Sequence, residues 1–328
     1  MSSVVKTGIT AADETLSGIA PTRTVGERMP ARSVSLLEDY SQLFKSRVTT
    51  MVMVTAWAGF YLGAHKAGMP VMGLRMLCAL TGIGLVSAGA AGWNEIFEIG
   101  VDRCMHRTQA RPLPSGRMSR AHATVASLIT TIGGVLLLTV TTNKLTGILA
   151  LATSASYVFA YTPMKRLSPI STFIGAVPGA MPPLLGWTAA RGYIEWEALA
   201  LFAIVFFWQF PHFLAIAWLY REDYERAGVL MQPVVEPSGR GTLVQILLAA
   251  IALIPVSAVP VMLHMSGGVY LIGALILGLA YFAFGVRLAR LRLPATAAHS
   301  KKYARQLLRA SIIYLPLLFG LMIVNGAR

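Results

Sequence analysis

Residues 72–98 read "MGLRMLCALTGIGLVSAGAAGWNEIFE". From Met76 to Asn94 no side chain carries a charge, and the stretch then closes on Glu95 and Glu98. About 20 apolar residues cross a bilayer as a helix, so Met72–Glu98 reads as a transmembrane span with acids at its end. Comparable stretches lie on either side, at Val48–Ala64, Ala121–Thr142, Leu145–Tyr161, Ile170–Thr188, Ala198–Leu219, Leu243–Met265, Val269–Val286 and Leu307–Val324. The expectation is an all-α, multi-pass membrane protein with nine transmembrane helices.

Composition points the same way. The 328 residues are 55% hydrophobic and 13% charged, with a mean hydropathy of +0.62. Soluble domains are nearer 25% charged, roughly twice this figure. A net charge of +14 would suit a nucleic-acid binder, but the cations are not spread as one would need. Of 28 Lys and Arg, 23 precede the first span or fall in alternate loops after it, and 5 lie on the other side. That asymmetry is the positive-inside rule. It places the N-terminus in the cytoplasm and the C-terminus outside, and it removes nucleic acid from the expected partners.

Residues 1–38 mix Ser, Thr, Gly, Pro and both charge signs without a hydrophobic run, which reads as a disordered cytoplasmic tail. The membrane domain then occupies 39–328. No signal-peptide core is visible, and Asp13, Glu14 and Glu27 argue against an organellar transit peptide. Cys78 falls within a span and Cys104 in a cytoplasmic loop, a pair that does not suit a disulfide.

Asn94, Glu98 and Asp102 recur every fourth residue, on one helical face at steps of about 6 Å. An amide and two carboxylates are hard oxygen ligands of the kind Mg²⁺ takes alongside substrate phosphate oxygens. Arg107 and Arg111 follow, four apart, before Pro112 and Pro114 stop the helix. Guanidinium groups suit bidentate contact with phosphate. The acids begin while the chain is still in the membrane, where ionisable groups are costly and functional. Together the stretch reads as a metal–diphosphate site. Glu95 and Arg103 lie off the acidic face and read as solvated.

A second cluster, "YREDYERAGVLMQP" from Tyr220 to Pro233, falls on the same side. Asp223 is its ligand candidate and Arg226 a phosphate contact, with Glu222 and Glu225 solvated. Upstream, "FWQFPHFLAIAW" sets Gln209 and His212 deep in a span that Pro211 should bend. His212 has two readings, a hydrogen-bonded core residue or a metal ligand and proton carrier. The fifth span carries Gly175, Gly179 and Gly186 with Pro178, Pro182 and Pro183, a composition for close, bent packing around a cavity. Cys104–Met105–His106 has no metal-ligand spacing.

Taken together, these residues resemble the protoheme IX farnesyltransferase branch of the UbiA-type intramembrane prenyltransferases. Asn94, Glu98 and Asp102 match its N-x-x-x-[D/E]-x-x-x-D pattern. "MHRTQARPL" (Met105–Leu113) is similar to its M-x-R-T-x-x-R-P-L, and "DYERAGVLM" (Asp223–Met231) to its D-Y-x-x-A-G-x-x-M. "YTPMKR" (Tyr161–Arg166), "GAMPPLLGW" (Gly179–Trp187), "QFPHF" (Gln209–Phe213) and "DYSQLFKSRV" (Asp39–Val48) extend the likeness over roughly residues 39–324. Gly100, Ser46 and Ala227 depart from residues common among relatives.

The resemblance implies a helical bundle around a central cavity open to lipid, in a bacterial inner membrane with a periplasmic C-terminus. It implies farnesyl diphosphate and haem B as substrates, with Mg²⁺ as cofactor and haem O as product for a haem A synthase. Asn94, Glu98, Asp102 and Asp223 would hold the metal. Lys45, Arg107, Arg111 and Lys165 would offset phosphate charge, and His212 is the candidate for haem iron. Two other readings stand beside it, an aromatic quinone precursor as acceptor and a secondary transporter. The P-H-F and R-T-x-x-R-P-L elements disfavour the first, and the lack of a clear repeat between halves disfavours the second.

Overall fold

The computed structural model describes residues 35–326. Most of the expected tail, residues 1–34, lies outside the described residues. Helix begins at Leu36–Leu43, where Asp39 accepts from Arg117 Nε at 2.9 Å.

Nine long helical rods follow among the described residues: α1 (Ser46–Lys66), α2 (Leu74–Phe97), α3 (Arg120–Thr141), α4 (Lys144–Met164), α5 (Ser171–Arg191), α6 (Trp196–Leu219), α7 (Arg240–Met262), α8 (Gly268–Arg290) and α9 (Ala298–Val324). No strand is formed among them, and the sole β pairing is an isolated bridge between Ser266 and Gly326. Seven rods are long and apolar enough to cross a membrane by length and composition, which makes the chain a multi-pass membrane protein. The two that fall short are α1 and α5.

Close packing explains this for α5, while α1 opens on the polar Ser46, Arg47, Thr49 and Thr50. A Cβ on Gly59 would lie 1.9 Å from the Pro183 carbonyl oxygen, and one on Gly186 would lie 1.8 Å from that of Ala56. The backbones of α1 and α5 therefore touch, with room for glycine alone at the crossing. Most of α5 from Pro182 to Ala190 is buried. A helix enclosed by other helices does not need the hydropathy of one facing lipid. By contrast α3 exposes Val125, Leu128, Ile129, Ile132 and Leu136, and α8 exposes Ile272, Ile276 and Leu279. Contiguous apolar surface of that kind belongs against lipid tails.

Turns fix the ends. Ser119 caps α3 by accepting from His122 N at 3.1 Å. Asn143 caps α4 by accepting from Thr146 N at 2.9 Å, while its Nδ2 donates to Thr188 O at 2.8 Å. Gly192 ends α5 in the left-handed region, φ 85°, where a Cβ would be strained. Cys78 and Cys104 are free.

At the end of the bundle away from the two acidic loops, Glu195 gathers charge. Its carboxylate accepts from Arg191 Nε and Lys66 Nζ at 2.8 Å each and from Trp187 Nε1 at 2.9 Å. Burial alone would raise its pKa, but these three donors outweigh it and hold the group down to about 2.

Candidate active site

The site forms where the chain leaves α2. Glu98 interrupts the helix with φ −100°, ψ 12°, and a short helix Ile99–Arg103 continues it. Backbone bonds keep the four-residue step across the break, from Glu98 N to Asn94 O at 3.0 Å and from Asp102 N to Glu98 O at 2.7 Å. Asn94, Glu98 and Asp102 are therefore carried on nearly one face. They are all buried, at 1%, 9% and 1% exposure.

Each of these groups already holds a cation or a donor. Asn94 Oδ1 accepts from Lys45 Nζ at 2.5 Å, and its Nδ2 donates to Glu98 Oε2 at 2.8 Å and to Thr162 Oγ1 at 3.1 Å. Lys45 reaches it from the left-handed turn before α1, at φ 46°. Lys165 Nζ donates to both oxygens of Glu98, at 2.9 and 3.1 Å. Burial pushes the Lys165 pKa down most, yet Tyr161 and Glu98 together hold it above the ordinary lysine value. Arg111 Nη1 donates to Asp102 Oδ2 at 2.8 Å, and Thr108 Oγ1 donates to the Asp102 carbonyl at 3.0 Å.

A local irregularity aims Lys165 and Thr162. The segment Ser156–Tyr161 within α4 winds as a π-helix, and Thr162 N and Oγ1 both donate to Tyr157 O. Such wide turns occur frequently at functional sites. Gly175 of α5 leaves room for the Tyr161 ring, since a Cβ there would lie 2.6 Å from it. Lys165 Nζ then lies 4.6 Å above that ring.

The second acidic loop closes over the first. Arg107 stacks on Tyr220 and Tyr224, at 5.3 and 6.0 Å from the ring centres. Leu230 N donates to Lys165 O at 2.8 Å, and Val101 and Met105 pack with Ala217, Val229 and Met231. Asp223 sits in this loop, 9% exposed, paired with Arg226 at 3.3 Å. The structure thus joins Lys45, Asn94, Glu98 and Lys165 directly and sets Asp102–Arg111 one turn on. It joins Arg107 and Asp223 to them only through their loops.

The donor set fits Mg²⁺ plus a diphosphate. Among the described residues no three His, Cys, Asp or Glu side chains converge as a metal-ion cage. Mg²⁺ does not require one, since it binds through one or two carboxylates with substrate phosphate oxygens completing the shell. Two buried carboxylates lie here, each with a cation beside it that a phosphate could draw away.

His212 lies elsewhere, in α6 two turns before Leu219. Its Nδ1 is 2.7 Å from Ser311 Oγ of α9, and Trp208 stacks on the ring at 4.9 Å. Gln209 is buried and donates to Ala176 O at 2.8 Å, filling the space that Gly179 leaves.

Some residues differ from their sequence reading. Glu95 is not solvated but wholly buried, with Oε1 accepting from Leu113 N at 3.3 Å and Oε2 without a partner. It braces the loop that carries Arg111. Helical spacing alone pointed it away from the acids, and only the return of that loop covers it. Thr162, Tyr220 and Tyr224 carried no charge to draw notice. Glu222 and Glu225 are exposed and pair with Lys301 and Arg221.

Residues 52–312 match the model of the UbiA prenyltransferase family. A protoheme IX farnesyltransferase of Koribacter versatilis (strain Ellin345) is 53% identical, over 89% of this chain and 94% of its own. In structure, a digeranylgeranylglyceryl phosphate synthase aligns with a TM-score of 0.71 at 20% identity, over 88% of this chain and 98% of that one. A UbiA homologue from Archaeoglobus fulgidus bound to GPP and Mg²⁺ aligns with a TM-score of 0.59 at 14% identity, over 87% of this chain and 99% of that one. The match in sequence covers most of the length and the fold agrees with it, so the chain belongs to the UbiA prenyltransferase family.

Proposed function

We propose that this chain transfers the farnesyl group of farnesyl diphosphate to a vinyl group of haem B, giving haem O. The observation that carries the reading is the array of Lys45, Arg111 and Lys165, each bonded to one member of the Asn94–Glu98–Asp102 set. The relative from Koribacter supports the choice of substrates.

In this reading Asn94, Glu98, Asp102 and Asp223 would hold Mg²⁺, while Lys45, Arg107, Arg111 and Lys165 would turn towards the diphosphate. Mg²⁺, when bound, supplies positive charge that favours departure of the diphosphate. The protein cations do the same by stabilising charge that grows on the leaving group. The carbon–oxygen bond breaks with its electron pair passing to diphosphate. The vinyl π pair then bonds to the allylic carbon, and the cation left beside the porphyrin ring takes up water and releases a proton. An apolar surround keeps water from the farnesyl cation until haem has reacted.

His212 is the ligand to haem iron in this reading, since neutral imidazole is a common one. The bundle lies in a bacterial inner membrane with the N-terminus and both acidic loops cytoplasmic and the C-terminus periplasmic. A haem A synthase receives the product.

Mass spectrometry of haem from cells with and without this chain tests the substrate assignment. Haem O should appear only with the chain, and a prenylated phenol in its place would sink the reading. Reporter fusions at Gly116 and Ser238 should both read cytoplasmic, and a periplasmic signal at either would overturn the orientation.

A further inference from the structure

We infer that Ser311 fixes the ring proton of His212 on Nδ1 and so keeps Nε2 bare, as an iron ligand requires. This rests on the reading of His212 as the residue that holds haem iron.

The argument is an account of donors. Ser311 Oγ has one proton, and it lies 2.6 Å from Leu308 O, which can only accept. Two oxygens at that distance attract only if the hydroxyl proton lies between them. The serine proton is therefore spent on Leu308. Towards His212 Nδ1, at 2.7 Å, the serine oxygen can then only accept, so Nδ1 must carry the ring proton. In a neutral imidazole Nε2 then holds the free lone pair. Among the described residues nothing in the protein donates to it.

The surroundings hold the ring as well as the proton. Trp208 stacks on His212 with the ring planes 23° apart, and its Nε1 donates to the Ser311 carbonyl at 2.8 Å. Ser311 thus engages Trp208 of α6 through its backbone and His212 through its side chain, and the Tyr281 hydroxyl of α8, whose own proton goes to Trp208 O at 3.2 Å, also lies against its Oγ. Ser311 is completely buried, so its hydroxyl is shielded from bulk water. Ligating histidines usually donate their second N–H to an oxygen that fixes tautomer and orientation. Ser311 is a positioning residue of that kind, acting through His212 and not on the substrate.

The test uses full-length protein labelled with ¹⁵N-histidine, without haem. Its six histidines give few signals, and the His212 pair is identified by its loss in H212Q. The wild type should show protonated Nδ1 and bare Nε2. S311A should mix or reverse the tautomers while leaving the Trp208 bond, whose acceptor is backbone. S311T should restore the wild-type pattern, because a threonine hydroxyl also bonds the preceding turn. If threonine is not accommodated, S311A decides alone.

Haem B titration supplies the second readout. S311A should weaken binding about 10- to 100-fold, with farnesyl diphosphate affinity unchanged and S311T near wild type. A wild-type protonated Nε2, or a tautomer unmoved by S311A, overturns the inference about Ser311. If the tautomers behave as described but H212Q binds haem as tightly as wild type, the ligand reading fails instead, and the positioning role with it.

Discussion

A single ammonium, Lys165 Nζ, spans both carboxylate oxygens of Glu98, at 2.9 and 3.1 Å, from 67 residues further along the chain. The pair is largely shielded from solvent, so removing the cation leaves a carboxylate with no partner of opposite charge. Breaking a buried pair costs about 3–5 kcal/mol when one member is removed. Lys165→Gln should therefore lower the melting temperature and reduce kcat/KM by about 10²-fold or more. Farnesyl transfer by purified protein, alongside thermal unfolding in detergent, measures both. Unchanged transfer would mean that Lys165 does not meet the diphosphate.

Asp102→Asn keeps the shape of the side chain and removes the charge that Arg111 and a metal both need. Transfer should fall about 10²- to 10³-fold with the helical spectrum retained. Glu225→Gln, at an exposed side chain, should leave the rate unchanged. Because every site cation is now engaged by protein oxygens or aromatic rings, chelation of Mg²⁺ should also weaken farnesyl diphosphate binding in calorimetry. Equal losses at positions 102 and 225 would point to general damage of the loops.

The contact between α1 and α5 can be probed with one methyl group. Gly186→Ala places a Cβ against the Ala56 carbonyl and should prevent normal assembly, read as loss of monodisperse protein from the membrane fraction. Gly133→Ala, with nothing within 4 Å, should be neutral or slightly stabilising, since alanine favours helix. A well-behaved Gly186→Ala protein would show that the two helices can move apart freely.

At the opposite end, Glu195 contributes a pH-dependent term. Its folded pKa of about 2 lies below the usual 4.5, so its stabilising effect is complete above 4.5 and is lost as pH falls towards 2. Glu195→Gln should therefore melt at a lower temperature than wild type at pH 7. The gap should close between pH 4.5 and 2. A gap that stays constant across that range would mean the carboxylate charge is not what matters.

Much of the bundle was legible in the sequence, because hydropathy reports what faces lipid. It failed where lipid is not the neighbour. The last span was expected from Leu307, but α9 starts at Ala298, since a polar helical extension carries no hydropathy signal. The Asn94–Glu98 bond follows from spacing within one helix, which a sequence displays directly. The Lys165–Glu98 bond does not, because it depends on how α4 ends and on where α5 holds it. Glu95 departs from its sequence reading for the same reason: its cover arrives from Leu113. Asp223 lies at the same end of the bundle as the first cluster, but a shared end does not bring it to Glu98.

The π segment of α4 makes one site dimension a matter of counting. A wide turn amounts to one extra residue in an otherwise regular helix. Each residue is worth about 100° of rotation. Were residues 156–161 to wind as regular α-helix with none removed, Lys165 would swing about 100° around the axis, away from Glu98; removing one of them as the turn closes would keep its phase. No charge would change and hydropathy would barely alter. What holds Lys165 on Glu98 is consequently the width of this turn, kept by the Thr162 bonds to Tyr157 O, and exchanges that tighten it to regular α-helix should cost more than their apolar character suggests.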